Sequence, residues 1–205
     1  MMTKAEFDTA IQTTPIVAIL RGLSVEEVDG VCGILEEAGI TLLEVPLNTP
    51  NVAAVLAEVA RRRRPGQHFG AGTVLDVEGV NLIGSLGGEF VISPNCNPEV
   101  IQATKASGLL SMPGCLTATE CITAWKTGAD YIKIFPAGRM GPGYIKDLKA
   151  VIPMPFVAVG GISVENLQDY LKVCVGVGVG SALYKPGKSM EQMRADALAF
   201  AAKTR

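Results

Sequence analysis

Histidine is almost absent from this sequence of 205 residues, in which His68 is the single example. This scarcity excludes the histidine clusters of catalytic zinc sites, and it leaves a Ser-His-Asp triad possible only through His68. His68 stands at the start of an apolar run, away from the polar residues that follow the other runs, so we interpret it as structural. The sequence predicts no metal site.

Paired cysteines, a basic surplus and long apolar runs are missing as well. The five cysteines are odd in number, widely spaced and without a CxxC pair, which argues against disulfides and zinc ribbons and fits a reducing cytoplasm. A net charge of -2 argues against a nucleic-acid partner. No run reaches the roughly 18 apolar residues of a membrane span, and no signal peptide is recognisable. We expect a soluble, cytoplasmic protein without nucleic-acid or membrane partners.

Apolar residues are plentiful: 48% of the chain is hydrophobic and 19% is charged. This composition is sufficient for a sizeable core and too poor in charge for a disordered chain. No linker or low-complexity stretch interrupts the sequence. The length therefore predicts one domain over residues 1–205.

Eight short apolar runs alternate with longer segments of helical periodicity. The runs are PIVAIL (15–20), TLLEV (41–45), HFGAG (68–72), EFVIS (89–93), LLSMP (109–113), DYIKIF (130–135), PFVAVG (155–160) and VGVGVG (175–180). Because these runs show little polar alternation, they indicate strands buried on both faces, as in a parallel sheet covered by helices.

The segments between the runs carry signals for where helices begin and end. Capping boxes at Ser24–Glu27 and Thr117–Glu120 predict helix starts, and Gly39, Gly108 and Gly128 predict helix ends. Eight strand–helix units predict an α/β protein with a (β/α)8 (TIM) barrel and a short N-terminal helix. A doubly wound open sheet is the alternative.

In such a barrel the chemistry is found at the carboxyl ends of the strands. The polar, glycine and proline residues there are Arg21, Glu44, Thr73, Asn95, Pro113, Lys133, Gly160, Gly161, Gly180 and Ser181. Lys133 lies in an apolar strand, where loss of hydration would lower its pKa and provide a free amine for attack on a carbonyl. A structural ion pair is the equally plausible alternative. Glu44 could transfer protons in the same pocket, or pair with Lys133.

The other positions suggest binding groups. Arg21 offers a bidentate contact for a substrate carboxylate, although a structural ion pair is the commoner role of a lone arginine. The loops that begin at Gly160 and Gly180 follow the seventh and eighth strands, where such barrels frequently bind phosphate through backbone amides and a helix N-terminus. Either loop alone could be a simple turn, but the two together favour phosphate. Thr73 is either a polar group of the pocket or a helix cap.

Eight motifs in order identify a resemblance. They are PIVAILRG, LLEVPLNTP, GAGTVL, VISPN, PGCLTATE, IKIFPA, AVGGIS and GSALY, which together extend from about Pro15 to Tyr184. This series resembles the family of 2-keto-3-deoxy-6-phosphogluconate and 6-phosphogalactonate aldolases. The resemblance implies a class I aldolase on a (β/α)8 barrel, a homotrimer that takes a phosphorylated keto acid and uses neither cofactor nor metal.

The resemblance also implies roles for individual residues. Lys133 would form the Schiff base and Glu44 would transfer protons. Arg21 and Thr73 would hold the pyruvyl carboxylate, and Gly161 and Ser181 would lie in the phosphate site. The remaining substrate-binding candidates are Gly160, Gly180, Pro113, Val159 and Asn48.

Two of these positions bear on the substrate epimer. The gluconate-type enzymes resemble one another in an arginine after the glutamate motif and a threonine before the paired glycines. Here Asn48 and Val159 stand in those places, a pattern similar to the galactonate type. The sequence therefore predicts cleavage of 2-dehydro-3-deoxy-6-phosphogalactonate, a step of galactonate or galactose catabolism. The alternatives are the gluconate epimer as main substrate, a phosphosugar isomerase, or a barrel that binds phosphometabolites without catalysis.

Overall fold

The computed structural model describes residues 2–204, in which nine strands alternate with helices. The strands are β1 (Ile16–Ile19), β2 (Leu42–Pro46), β3 (His68–Gly72), β4 (Phe90–Ile92), β5 (Leu110–Met112), β6 (Gly114–Cys115), β7 (Ile132–Ile134), β8 (Phe156–Val159) and β9 (Gly176–Val179). The helices are α1 (Lys4–Thr13), α2 (Val28–Ala38), α3 (Val52–Arg62), α4 (Val77–Ser85), α5 (Pro98–Ala106), α6 (Ala118–Thr127), α7 (Ala137–Lys149), α8 (Leu167–Leu171) and α9 (Met190–Ala202). A 3-10 turn over Val25–Glu27 precedes α2.

The strands form one parallel sheet that curls into a nearly closed barrel. Their order is β5-β4-β3-β2-β1-β9-β8-β7-β6, so the two end strands are consecutive in the chain and are separated only by Pro113. The N–H groups of Asp130 and Lys133 donate to the carbonyls of Ser111 and Pro113 at 2.9 Å each, which joins the two ends. The predicted barrel is confirmed and the open doubly wound sheet is excluded.

The fifth predicted strand differs from expectation, because it is divided into β5 and β6. Residues before Pro113 pair with β4, and residues after it pair with β7. Proline has no N–H to contribute to a sheet, which places the break in the strand at this residue.

Side chains alternate between the inside of the barrel and the surrounding helices. Val17, Leu42 and Val157 belong to the inner cluster, whereas their neighbours pack in a second cluster against the helices. Both faces of the strands are therefore buried, as the uninterrupted apolar runs predict. Glycines on the inner face make room for larger neighbours: a Cβ atom at Gly70 would lie 2.3 Å from Phe90.

Helix α1 closes the amino-terminal end of the barrel. Thr3 caps it through a reciprocal capping box with Glu6. Phe7 and Ile11 are fully buried, and the Phe7 ring lies 4.6 Å from the ring of Tyr131 between centroids. With this end filled by apolar side chains, the open end of the barrel is the carboxyl one.

The predicted helix limits agree with the structure, except that Ser24 caps the 3-10 turn before α2 rather than α2 itself. Thr117 forms a capping box with Glu120 at the start of α6, and the Ser24 N–H donates to Glu27 at 3.2 Å before α2. Gly39 and Gly128 end α2 and α6 in the left-handed region, at φ 73° and 102°. Glycine adopts this conformation without the steric cost that a Cβ brings.

Between residues 2 and 204, no helix has the length and apolar character needed to span a membrane. In the same range, no three His, Cys, Asp or Glu side chains are grouped so that they could hold a metal ion.

Candidate active site

A cavity of about 420 Å³ opens at the carboxyl ends of the strands. It brings together most of the residues that the sequence singles out, although they come from six different strands and their loops. The predicted residues that line it are Arg21, Glu44, Thr73, Lys133, Val159, Gly160, Gly161, Gly180 and Ser181.

Glu44 lies on β2 and points into the barrel two residues after Leu42. Its side chain is buried, and Oε2 has no hydrogen-bond partner among the described residues. Burial raises the pKa of Glu44 to about 7, although the positive charges of Lys133 and Arg21 oppose this shift. A carboxyl group with such a pKa can both accept and donate a proton near neutral pH.

Lys133 lies on β7 and points inward two residues after Tyr131. It is buried at 6% exposure, and burial lowers the pKa of its ammonium, with Glu44 opposing the shift and Arg21 adding to it. Within the described chain Lys133 forms no salt bridge. Its Nζ lies 4.9 Å from the centroid of the Phe135 ring. The structural ion pair considered for this lysine is therefore not formed, and the amine faces the cavity.

Arg21 and Thr73 stand at the edge of the cavity on opposite sides of Glu44. The guanidinium of Arg21 donates a hydrogen bond to Oδ1 of Asn48. Asn48 itself does not line the cavity, so its contact with the site passes through Arg21. Thr73 has a φ of 53°, which is rare for a β-branched residue, and such strained conformations cluster at active sites.

The two glycine loops present unpaired backbone donors. The N–H groups of Gly161, Ile162, Ser181 and Ala182 donate to no acceptor in the described part of the chain. Gly160 and Gly161 have φ values of 92° and 76°, a conformation that favours glycine. The predicted helix N-terminus is absent from both loops: α8 begins only at Leu167, and α9 only at Met190. The donors therefore belong to turns.

Three other residues that the sequence analysis considered lie outside the cavity lining. Pro113 is buried in the barrel wall outside the cavity lining, and its carbonyl accepts the backbone N–H of Lys133 at 2.9 Å. Asn95 is exposed and also stands outside the lining. His68 lies at the amino-terminal end of β3, where Nδ1 is 3.2 Å from Glu89.

The sequence did not point to several residues of the lining. Phe135 directly follows β7, and Lys185 lies in the loop after β9. Lys185 makes no salt bridge among residues 2–204. The only sequence signal for either was position, because both stand next to a motif, IKIF or GSALY, that was already recognised. The other lining residues that were not named are Ile19, Gly22, Pro94, Ile162, Gly178, Ala182, Tyr184 and Pro186.

Known proteins are similar to this chain in sequence and in architecture. The family described as KDPG and KHG aldolase matches residues 7–199. A probable 2-dehydro-3-deoxy-6-phosphogalactonate aldolase of Rhizobium meliloti (strain 1021) is 41% identical over 90% of this chain and 89% of that protein. The 2-dehydro-3-deoxy-6-phosphogalactonate aldolase of Escherichia coli (strain K12) is 40% identical over 91% of this chain and 92% of its own. The solved structure titled "Native KDPGal structure" superposes with a TM-score of 0.89 at 39% identity, covering 92% of this chain and 93% of that one.

The fold and the cavity define a (β/α)8 barrel with a buried amine and a buried carboxyl group at the carboxyl ends of its strands. The family match covers nearly the whole chain. The chain belongs to the KDPG and KHG aldolase family, and it is accordingly an aldolase, a carbon–carbon lyase.

Proposed function

We propose that this chain cleaves 2-dehydro-3-deoxy-6-phosphogalactonate to pyruvate and D-glyceraldehyde 3-phosphate through a Schiff base on Lys133. The observation that carries the proposal is the buried pair of Lys133 and Glu44, which face one cavity with pKa values shifted toward each other. The names of two relatives at 41% and 40% identity support the substrate.

The reaction begins with the amine of Lys133. Because burial favours the neutral form, Nζ can attack the C2 ketone, and loss of water then gives an imine. The protonated imine accepts the electron pair of the C3–C4 bond when that bond breaks, which gives an enamine. This is the role that a metal ion would otherwise fulfil.

Glu44 moves the protons of the cleavage. Its carboxylate removes the proton of the C4 hydroxyl group, directly or through a water, while C3–C4 breaks and glyceraldehyde 3-phosphate leaves as the aldehyde. The enamine is then protonated at C3, and water hydrolyses the imine to release pyruvate and the free amine of Lys133. A pKa of about 7 suits Glu44 to both directions of transfer.

The two ends of the substrate would be held by different groups. Arg21 and Thr73, on the rim near Glu44, suit the carboxylate of the pyruvyl part. The unpaired amides of the loops at Gly160–Gly161 and Gly180–Ser181 suit the phosphate. Asn48 would act by orienting Arg21, and Pro113 by its bond to the backbone of Lys133.

Val159 supports the choice of epimer. It is 5% exposed and lines the cavity next to Gly160. A valine leaves a hydroxyl group that faces it without a hydrogen-bond partner, which disfavours the epimer that places its C4 hydroxyl there. The gluconate epimer as main substrate is the alternative, and it is the substrate named for a Pseudomonas aeruginosa relative that is 34% identical over 69% of this chain and 67% of its own.

We further propose that the protein is a cytoplasmic homotrimer. The family resemblance implies the homotrimer, and the five free cysteines fit a reducing cytoplasm. Sedimentation equilibrium of the purified protein tests the trimer, because a monomer or dimer mass at micromolar concentration would contradict it.

The proposal is tested by a retro-aldol assay with the two C4-epimeric phosphorylated acids, with pyruvate release as readout. Faster cleavage of the galactonate epimer is expected. In parallel, pyruvate and borohydride should modify Lys133 covalently, as identified by peptide mass. A phosphosugar isomerase or a non-catalytic barrel would leave Lys133 unmodified and release no pyruvate.

A further inference from the structure

Two side chains outside the cavity lining hold the glycine loops from behind. Asn166 contacts the loop after β8, and Lys188 contacts the loop after β9. Neither residue lines the cavity. Each side chain donates at least one hydrogen bond to a backbone carbonyl group of its loop.

Asn166 bridges two points of its loop. Its Oδ1 accepts the N–H of Ser163 at 2.9 Å, and its Nδ2 donates to the carbonyl of Gly161 at 2.8 Å. The preceding carbonyl, of Gly160, accepts the N–H of Gly138 at 2.8 Å. In a trans peptide the C=O and the next N–H point in opposite directions. The partners of these two carbonyls, Gly138 and Asn166, lie outside the cavity lining, so the N–H groups of Gly161 and Ile162 point away from them in residues that do line the cavity.

The turn after β9 leaves backbone groups without partners at both of its ends. The N–H groups of Leu183 and Tyr184 both donate to the carbonyl of Gly180, at 2.8 and 2.9 Å. This turn resembles one turn of a helix, so its first N–H groups and its last carbonyl groups lack partners within it. The first N–H groups are those of Ser181 and Ala182.

The last carbonyl groups of the turn are taken by Lys188. Its Nζ donates to the carbonyls of Ala182 and Leu183 at 2.7 and 3.0 Å. Asp196 on α9 pairs with the same ammonium at 2.5 Å, and the Lys188 side chain is only 9% exposed. A buried ammonium with three acceptors holds this turn against α9.

We propose that Asn166 and Lys188 are positioning residues that pre-orient the four unpaired amides for the phosphate group of the substrate. This inference rests on the proposed function, which assigns the phosphate to these loops. Donors that are held in place before binding need no reorganisation when the anion arrives. Loss of either side chain would thus weaken phosphate binding without changing the chemistry at Lys133.

The test compares Lys188→Met and Asn166→Leu with two exposed controls, Lys172→Met and Asn81→Leu. Cleavage of the phosphorylated substrate gives KM and kcat, and inorganic phosphate is added as a competitive inhibitor. Borohydride trapping with pyruvate, which carries no phosphate, reports the chemistry of Lys133 separately. Circular dichroism checks that each variant is folded.

For Lys188→Met and for Asn166→Leu we expect KM and the inhibition constant of phosphate to rise about tenfold. A tenfold change corresponds to the loss of one hydrogen bond to a charged group. Trapping with pyruvate should match the wild type, and Lys188→Arg should recover part of the phosphate affinity. If Lys188→Met does not fold, Asn166→Ala, which removes a less buried side chain, carries the test. An unchanged inhibition constant in the folded variants, or an equal loss of trapping, would overturn the inference.

The wild-type measurements separate this inference from the proposed function. If the wild type cleaves neither epimer and traps no pyruvate, the proposed function fails, and the inference fails with it. If the wild type does both and the variants bind phosphate normally, the inference alone fails.

Discussion

The carboxylate of Glu44 occupies the space in which a side chain at Gly72 would begin. A Cβ atom placed on Gly72 would lie 1.5 Å from Oε1 of Glu44. Gly72 is the last residue of β3, which pairs with β2, the strand that carries Glu44. Gly72 and Glu44 both belong to the inner face of the barrel. The missing side chain on one strand therefore sets the place of the buried carboxyl group on the next.

This relationship predicts the effect of Gly72→Ala. The φ of Gly72 is not in the left-handed region, so the backbone accepts alanine and the Glu44 side chain must move instead. Cleavage should fall by about two orders of magnitude, the usual cost of a misplaced catalytic group, while pyruvate trapping on Lys133 persists. The measurement is kcat beside the trapping rate.

Gly143→Ala is the matched control for Gly72→Ala, because a Cβ atom at Gly143 meets nothing within 4 Å. It should keep the wild-type kcat. Equal activity of Gly72→Ala and Gly143→Ala would contradict a role for the position of Glu44.

Lys133→Arg should abolish turnover, since a guanidinium is similar in length but stays protonated and cannot form an imine. The exposed Lys126→Arg serves as control. Pyruvate release is measured with the galactonate epimer, and borohydride adducts are measured by mass. Substantial release by the Lys133 variant would rule out the Schiff base at this residue.

Glu44→Gln keeps the shape of the side chain and removes the base. Cleavage should fall by about two orders of magnitude or more, the usual contribution of a general base, whereas the imine with pyruvate should still be trapped. Measured kcat and the trapped fraction separate the two steps. Normal cleavage by this variant would move the proton transfer to another group.

The raised pKa of Glu44 also predicts how the free energy of unfolding depends on pH. Its pKa rises from 4.5 to about 7 on folding, so the folded state favours the protonated form. The associated stability is full below pH 4.5 and is lost as pH rises through 7. From pH 4.5 to 8 the wild type should lose on the order of 3 kcal/mol relative to Glu44→Gln. Urea unfolding of both proteins across this range measures it, and a constant difference would refute the raised pKa.

Val159→Thr should shift the choice of epimer. The two side chains are similar in shape, and the new hydroxyl group supplies a partner for a C4 hydroxyl that faces it. A change on the order of 1–3 kcal/mol, or roughly one to two orders of magnitude in relative kcat/KM, is expected in favour of the gluconate epimer. Val151→Thr, at a 71% exposed position, is the control. Unchanged selectivity in Val159→Thr would show that Val159 does not face the C4 hydroxyl.

Local physical chemistry accounts for what the sequence by itself determined about this protein. The apolar runs mark the strands because each lies between two buried layers, and Thr117 and Gly128 mark the limits of a helix through interactions within a few residues. The alternation of the barrel also follows from the strand period of two, which places Lys133 inward with Tyr131. The barrel was predicted from these local patterns, whereas the family was predicted from the resemblance of eight motifs in order; both are confirmed.

Only the tertiary structure decided how distant residues meet. The break at Pro113 depends on pairing with two different strands, and the contact between Arg21 and Asn48 joins residues that are 27 positions apart. The fit of Glu44 over Gly72 and the anchoring of the glycine loops by Lys188 depend on neighbours in space. A sequence pattern records the preferences of its own segment, whereas the orientation of the amides and the loss of hydration at Glu44 arise only when all the strands have closed around one cavity.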